Sequence, residues 1–131
     1  MLKPVRIAMA LLIVQLLVVP SMDSSAQTAQ TSKQYLYVLH LVPRLHDPKA
    51  WTERDNASVA KHFERLQEAT RRGRVILAGR TDEPLDKTFG IVVFEAASDE
   101  AANEFMQTDP TVAAGVMTAV LHPYSVALLR K

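Results

Sequence analysis

The sequence predicts an α+β domain of β-α-β-β-α-β order, in which one four-stranded antiparallel sheet carries two helices on one face. Three observations predict it. Residues 35–42 form an aromatic and branched run that ends at Pro43. A helical stretch with its own start and stop signals follows, from Thr52 to Gly73. The remainder then holds two short branched runs, a second capped helix and a last branched run.

The first strand is Tyr35, Leu36, Tyr37, Val38, Leu39, His40, Leu41 and Val42. Aromatic and β-branched residues suit a pleated surface, and Pro43 cannot continue a hydrogen-bonded ladder. Alternation sets Leu36, Val38, His40 and Val42 on one face, and Tyr35, Tyr37, Leu39 and Leu41 on the other. Both faces are apolar, which implies cover on both sides. Residues 43–51 read as a loop with two prolines. Thr52 and Asp55 have the spacing of a capping box, in which the hydroxyl accepts one orphan N–H and the acid accepts another. The helix runs to about Arg72 and stops at Gly73, a residue that tolerates the left-handed cap. Val59, Phe63, Leu66 and Ala69 or Thr70 form its apolar face, and His62 falls inside that face.

Residues 75–79 are the second strand and residues 89–94 the third, with a turn containing Asp82, Pro84 and Asp86 between them. Their closeness predicts a hairpin. Ser98 caps a second helix over 99–107 that turns Ala101, Ala102, Phe105 and Met106 inward. Asp109 breaks it, because the residue before Pro110 is pushed out of the helical region. Asp109 also suits the N-cap of a one-turn helix over 110–114 that ends at Gly115. Residues 116–129 return to strand character, interrupted by Pro123. The order is the ferredoxin-like split plan. Its sheet keeps one open face, which is expected to meet a second copy of the chain.

Residues 1–26 read as an address and not as part of this domain. Lys3 and Arg6 precede an uncharged apolar run over 7–22, and small residues around Ser24 and Ala26 follow. These are the three parts of a secretory signal peptide, with cleavage expected after Ala26. The alternative, a retained anchor, asks for roughly 20 apolar residues to span a bilayer, and Pro20 interrupts this run. Residues 27–34 are polar and read as a flexible lead-in to a domain over 35–131. The expected location is periplasmic or secreted, with no membrane contact after the signal is removed.

Of the 131 residues, 15 are basic and 14 acidic, so the net charge is +1. Removing Lys3, Arg6 and Asp23 with the leader leaves 13 of each sign. A neutral domain lacks the basic footprint of a nucleic-acid binder. The chain has no cysteine, which excludes thiol catalysis, zinc–thiolate sites and iron–sulfur clusters. No two histidines have the close helical spacing of a zinc site. The glycines stand alone, so there is no phosphate-cradling loop and no nucleophile elbow. No cofactor or metal is expected.

His62 and Asp109 carry the chemical interest. The two helices of a split plan share one face of the sheet, so the end of one can approach the middle of the other. A carboxylate that accepts from one ring nitrogen sets the tautomer and frees the other nitrogen to move a proton. Each residue also has a plain structural reading: His62 as a satisfied core histidine and Asp109 as a helix cap. His40 is a candidate for a pocket or a dimer seam. Arg80 is either a carboxylate anchor or a solvated cation. Tyr124, beside Pro123, is either a pocket wall or packing. The arginines at 71, 72 and 74 suit a helix C-terminus and need no ligand.

His62, Phe63 and Leu66, then Gly73 through Gly79, then the Ser98 helix ending in Asp109 and Pro110, and last Pro123 and Tyr124, together resemble the YciI-like (YCII-related) family. The resemblance spans residues 35–129. It implies a ferredoxin-like fold that dimerises through its sheets, the dimeric α/β-barrel arrangement, with a His–Asp pair as active site. By position that pair is His62 and Asp109. It also implies small-molecule chemistry: some related proteins are dehydrochlorinases of chlorinated aromatic intermediates, acting without a metal, while most members have no established reaction. The leader and the long loop over 43–51 depart from the compact cytosolic form. Two functions follow as expectations. One is acid/base chemistry of elimination or lyase type on a small organic molecule. The other is a non-catalytic binding module whose His–Asp pair is structural. A relative of the cofactor-free monooxygenases is a third reading, which the His62 and Asp109 motifs disfavour.

Overall fold

The computed structural model describes residues 31–130. The leader over 1–26 and the first part of the lead-in lie outside the described residues. The elements are β1 (Lys33–Leu41), α1 (Glu53–Arg71), β2 (Val75–Arg80), β3 (Phe89–Ala96), α2 (Asp99–Gln107), α3 (Pro110–Ala113) and β4 (Met117–Tyr124). The sheet is wholly antiparallel in the order β2-β3-β1-β4. This is the expected α+β, ferredoxin-like arrangement.

Local signals place the boundaries. Thr52 accepts from the Asp55 N–H and Asp55 accepts from the Thr52 N–H, which completes the capping box of α1. Ser98 accepts from the Ala101 N–H at the start of α2. Gly73 and Gly115 have φ of +77° and +69°, left-handed turns that follow α1 and α3 and favour glycine. β1 begins at Lys33, so the last two residues of the expected lead-in belong to the sheet. Residues 43–51 hold two short 3-10 turns, Pro43–His46 and Pro48–Ala50. They tie this segment down. The Arg44 guanidinium bonds both oxygens of Asp55 at 2.8 and 2.9 Å, and the Trp51 indole donates to the Leu45 carbonyl at 3.0 Å.

The main core lies between the sheet and the helices. Tyr35, Tyr37 and Leu39 of β1 bury against Phe94 of β3, Leu66 of α1 and Phe105 of α2. Edge-to-face contacts of Tyr37 with Phe94 and Phe105 add directional packing to area burial. A smaller core of Leu41, Leu45 and Val116 sits under the 43–51 segment. The other side of β1 is not covered within one chain. Leu36 and Val38 are half-buried and His40 is exposed. Val120 and Phe89, on the neighbouring strands, are also exposed.

One expected core residue is elsewhere. Phe63 is 61% exposed. The inward stripe of α1 runs through Asp55, Ser58, Leu66 and Ala69, and Phe63 lies one step around the helix from it. Helical periodicity located the stripe to within one residue, and packing against the sheet selected which residues at its edge are buried.

Candidate active site

Three elements converge on one carboxylate. Asp109 stands between α2 and α3, where Thr108 ends one helix and Pro110 opens the next. Its side chain has no exposure to solvent. His62 reaches it from α1, and Nδ1 lies 2.8 and 2.7 Å from the two oxygens. Tyr37 reaches it from the centre of β1 and donates its hydroxyl to Oδ2 at 2.9 Å. Thr111 supplies its N–H at 3.0 Å and its hydroxyl at 2.7 Å, both to Oδ1.

The electrostatics follow from these partners. Burial pushes the Asp109 carboxyl up, but the bonds from His62 and Thr111 outweigh it and the net direction is down. Asp109 is therefore a carboxylate near neutral pH. A carboxylate only accepts, so Nδ1 of His62 carries a proton, and in the neutral imidazole Nε2 then holds a free lone pair. Burial beside Asp109 pushes the Tyr37 phenol far above its ordinary range, so Tyr37 remains a donor. The set is a hydrogen-bonded chain from sheet to carboxylate to imidazole.

His62 also borders a cavity of about 750 Å³ between α1 and the β2–β3 side of the sheet. That size is in the range of small-molecule sites. Trp51, Phe63, Leu66, Leu85 and Arg80 are among the other residues that line it. The His62 side chain is 14% exposed. With Nδ1 taken by Asp109, the Nε2 edge is the part of the ring left for the cavity. Arg65, three residues after His62, stacks on Phe105 and bonds the Thr108 hydroxyl at 2.9 Å. It pins α1 to the end of α2, next to Asp109.

A model of the YCII-related domain matches residues 35–121. The chain belongs to the YCII-related domain family. No curated protein matches it. Eight chains of solved structures do. One of them is the 5-chloro-2-hydroxyhydroquinone dehydrochlorinase (TftG) of Burkholderia phenoliruptrix AC1100, solved in complex with 2,5-dihydroxybenzoquinone. It is 15% identical and the match covers 70% of this chain and 93% of that one, with a TM-score of 0.48.

In this YCII-related domain His62, Asp109 and Arg80 fall at or beside the cavity. His40 and Tyr124 do not. His40 is on the opposite face of the sheet, against Phe89 at 5.9 Å between ring centroids. Tyr124 lines a separate recess with Lys33 and Asp99 at the far end of β1. Sequence reasoning missed Tyr37 and Thr111. Thr111 had a local signal, because a residue two after an N-cap aspartate donates its N–H to it. Tyr37 had none beyond its place on one of the two apolar faces of β1. Among the described residues no group of three or more His, Cys, Asp or Glu is placed to hold a metal ion. Among them, too, no helix is long and apolar enough to cross a membrane.

Proposed function

We propose that this YCII-related protein performs acid/base chemistry of the elimination or lyase type on a small organic molecule, with His62 as the proton carrier and Asp109 as its positioning residue. The observation that carries this is the cavity beside an imidazole whose other nitrogen is held by a buried carboxylate. Nε2 takes a proton from a carbon of the substrate. The electrons of the broken C–H bond form a C=C bond, and a leaving group departs from the neighbouring carbon with its bonding pair. His62 becomes an imidazolium, stabilised by the Asp109 carboxylate. It then gives the proton to water or to the leaving group. A substrate that fills the cavity displaces water from its apolar walls, which strengthens these interactions.

The test is release of the leaving group from a panel of C–H-acidic compounds. His62→Gln should lower kcat by roughly 100-fold or more, the size of a general base. An unchanged rate sinks the catalytic reading. A second reading, a binding module with a structural pair, is favoured by one observation: Asp109 is also the N-cap of α3, bonding the Thr111 N–H. On that reading His62→Gln lowers the melting temperature while ligand binding survives.

Two further parts of the proposal concern the protein's setting. The apolar open face of the sheet pairs with a second copy, because Val38, Phe89 and Val120 lie there. The protein is exported, because residues 1–26 have the charge and hydropathy pattern of a cleaved signal. An exported product that begins at Gln27 supports cleavage, and recovery of the intact chain refutes it.

A further inference from the structure

We infer that the ligand of the cavity is a monocarboxylate with an apolar ring or chain, held by Arg80 at its charged end. The inference rests on the small-molecule reading above and adds the class of molecule.

Two observations carry it. The first is the charge of the walls. The residues lining the cavity include two arginines, Arg71 and Arg80, and no aspartate or glutamate. Asp82, Glu83 and Asp86 follow Arg80 in sequence, yet none of them is among the lining residues. A cavity whose apolar walls include Trp51, Phe63, Leu66 and Leu85 thus has a positive rim and no compensating carboxylate.

The second observation separates the two arginines. Glu68 accepts from both Arg71 and Arg72 on the surface of α1, so the Arg71 fork is already engaged, although the one carboxylate is shared between two cations. Among the described residues no hydrogen bond or ion pair engages the Arg80 guanidinium. Arg80 ends β2 opposite Gly90 of β3, on the cavity side of the sheet. A planar fork of N–H donors matches the two oxygens of a carboxylate. One free arginine answers one negative charge. Among the described residues that line the cavity there is no second unengaged arginine or lysine, and no glycine-rich loop, to suit a phosphate. His62 is then left for the reacting end of the molecule.

Calorimetric titration of the purified protein tests this with phenylacetate and its neutral counterpart phenylacetamide. Phenylacetate should bind about tenfold tighter, the worth of one charge-assisted pair. Arg80→Met should erase that preference while phenylacetamide affinity and melting temperature stay as they were. Arg80→Lys, which keeps the charge and loses the fork, should retain part of it. His62→Gln should leave the preference in place. Equal binding of the two probes, or a preference that survives Arg80→Met or disappears in His62→Gln, overturns the assignment to Arg80 and leaves the small-molecule reading standing. Failure of both probes to bind the wild type overturns both.

Discussion

Tyr37 donates its hydroxyl to Asp109 at 2.9 Å, in a site closed to solvent and across 72 positions of sequence. The carboxylate that holds His62 is thus itself held by the central strand of the sheet. Tyr37→Phe removes the donor and keeps the ring packing against Phe94 and Phe105. It should cost about 2 kcal/mol in denaturant unfolding, the range for a hydrogen bond to a charged group. If His62 is the proton carrier, kcat should fall and the acid limb of the pH–rate profile should move, with KM nearly unchanged. A variant as stable as wild type would show that Asp109 needs only His62 and Thr111.

Acid should unfold this protein early. Asp109 is held below the ordinary carboxylate range, and Asp55 is held well below it by Arg44 and by the Thr52 backbone and side-chain bonds. Groups whose folded value is depressed add stability above their unfolded value, near 3.9, and lose it as pH falls through the folded value. Denaturant midpoints should therefore be flat from about pH 7 to 5 and drop steadily below about pH 4. Asp55→Asn should be less stable at pH 7 and show a shallower acid limb. A limb of unchanged slope would remove Asp55 from the account.

Leu45 is fully buried and joins the 43–51 segment to Leu41 and Val116. Leu45→Ala should cost 2–5 kcal/mol, roughly the range for emptying such a site. Trp51 is the only tryptophan in the chain and lines the cavity. Its emission should shift to the red as the segment loosens. A full loss of stability with unchanged emission would mean that Trp51 is held independently of Leu45.

Val120 is 54% exposed and pairs with Val38 at the centre of the open face. If the open faces of two copies pair as proposed, Val120→Lys would place a charge between them, at a cost in desolvation that no partner offsets. Sedimentation should show a dimer for the wild type and a monomer for the variant, with the same far-UV circular dichroism. A wild-type monomer at all concentrations rejects the sheet-to-sheet pairing.

The elements were legible from local sequence because their causes are local. Thr52 with Asp55, Ser98, Asp109 with Pro110, and the glycines at 73 and 115 each act within a few residues, and the fold order follows from them. The alternation of β1 grouped Tyr37 with Tyr35, Leu39 and Leu41 without saying which face meets the helices, and the period of α1 set His62 on the inward side. The position of Phe63 was missed by one residue, because a period of 3.6 defines a stripe and not its edges.

Sequence by itself determined the order of the elements, the two apolar faces of β1 and the candidacy of His62 and Asp109. Only the tertiary structure decided who shares the carboxylate and who shares the cavity. The order β2-β3-β1-β4 sets β1 at the centre beneath the helices, which brings Tyr37 to Asp109. It also leaves His40 on the far face and brings Arg80, at the end of the edge strand β2, to the same cavity as His62. The physical reason is range. Capping and periodicity depend on neighbours along the chain, whereas convergence on a buried charge depends on strand order and helix tilt, which packing alone selects.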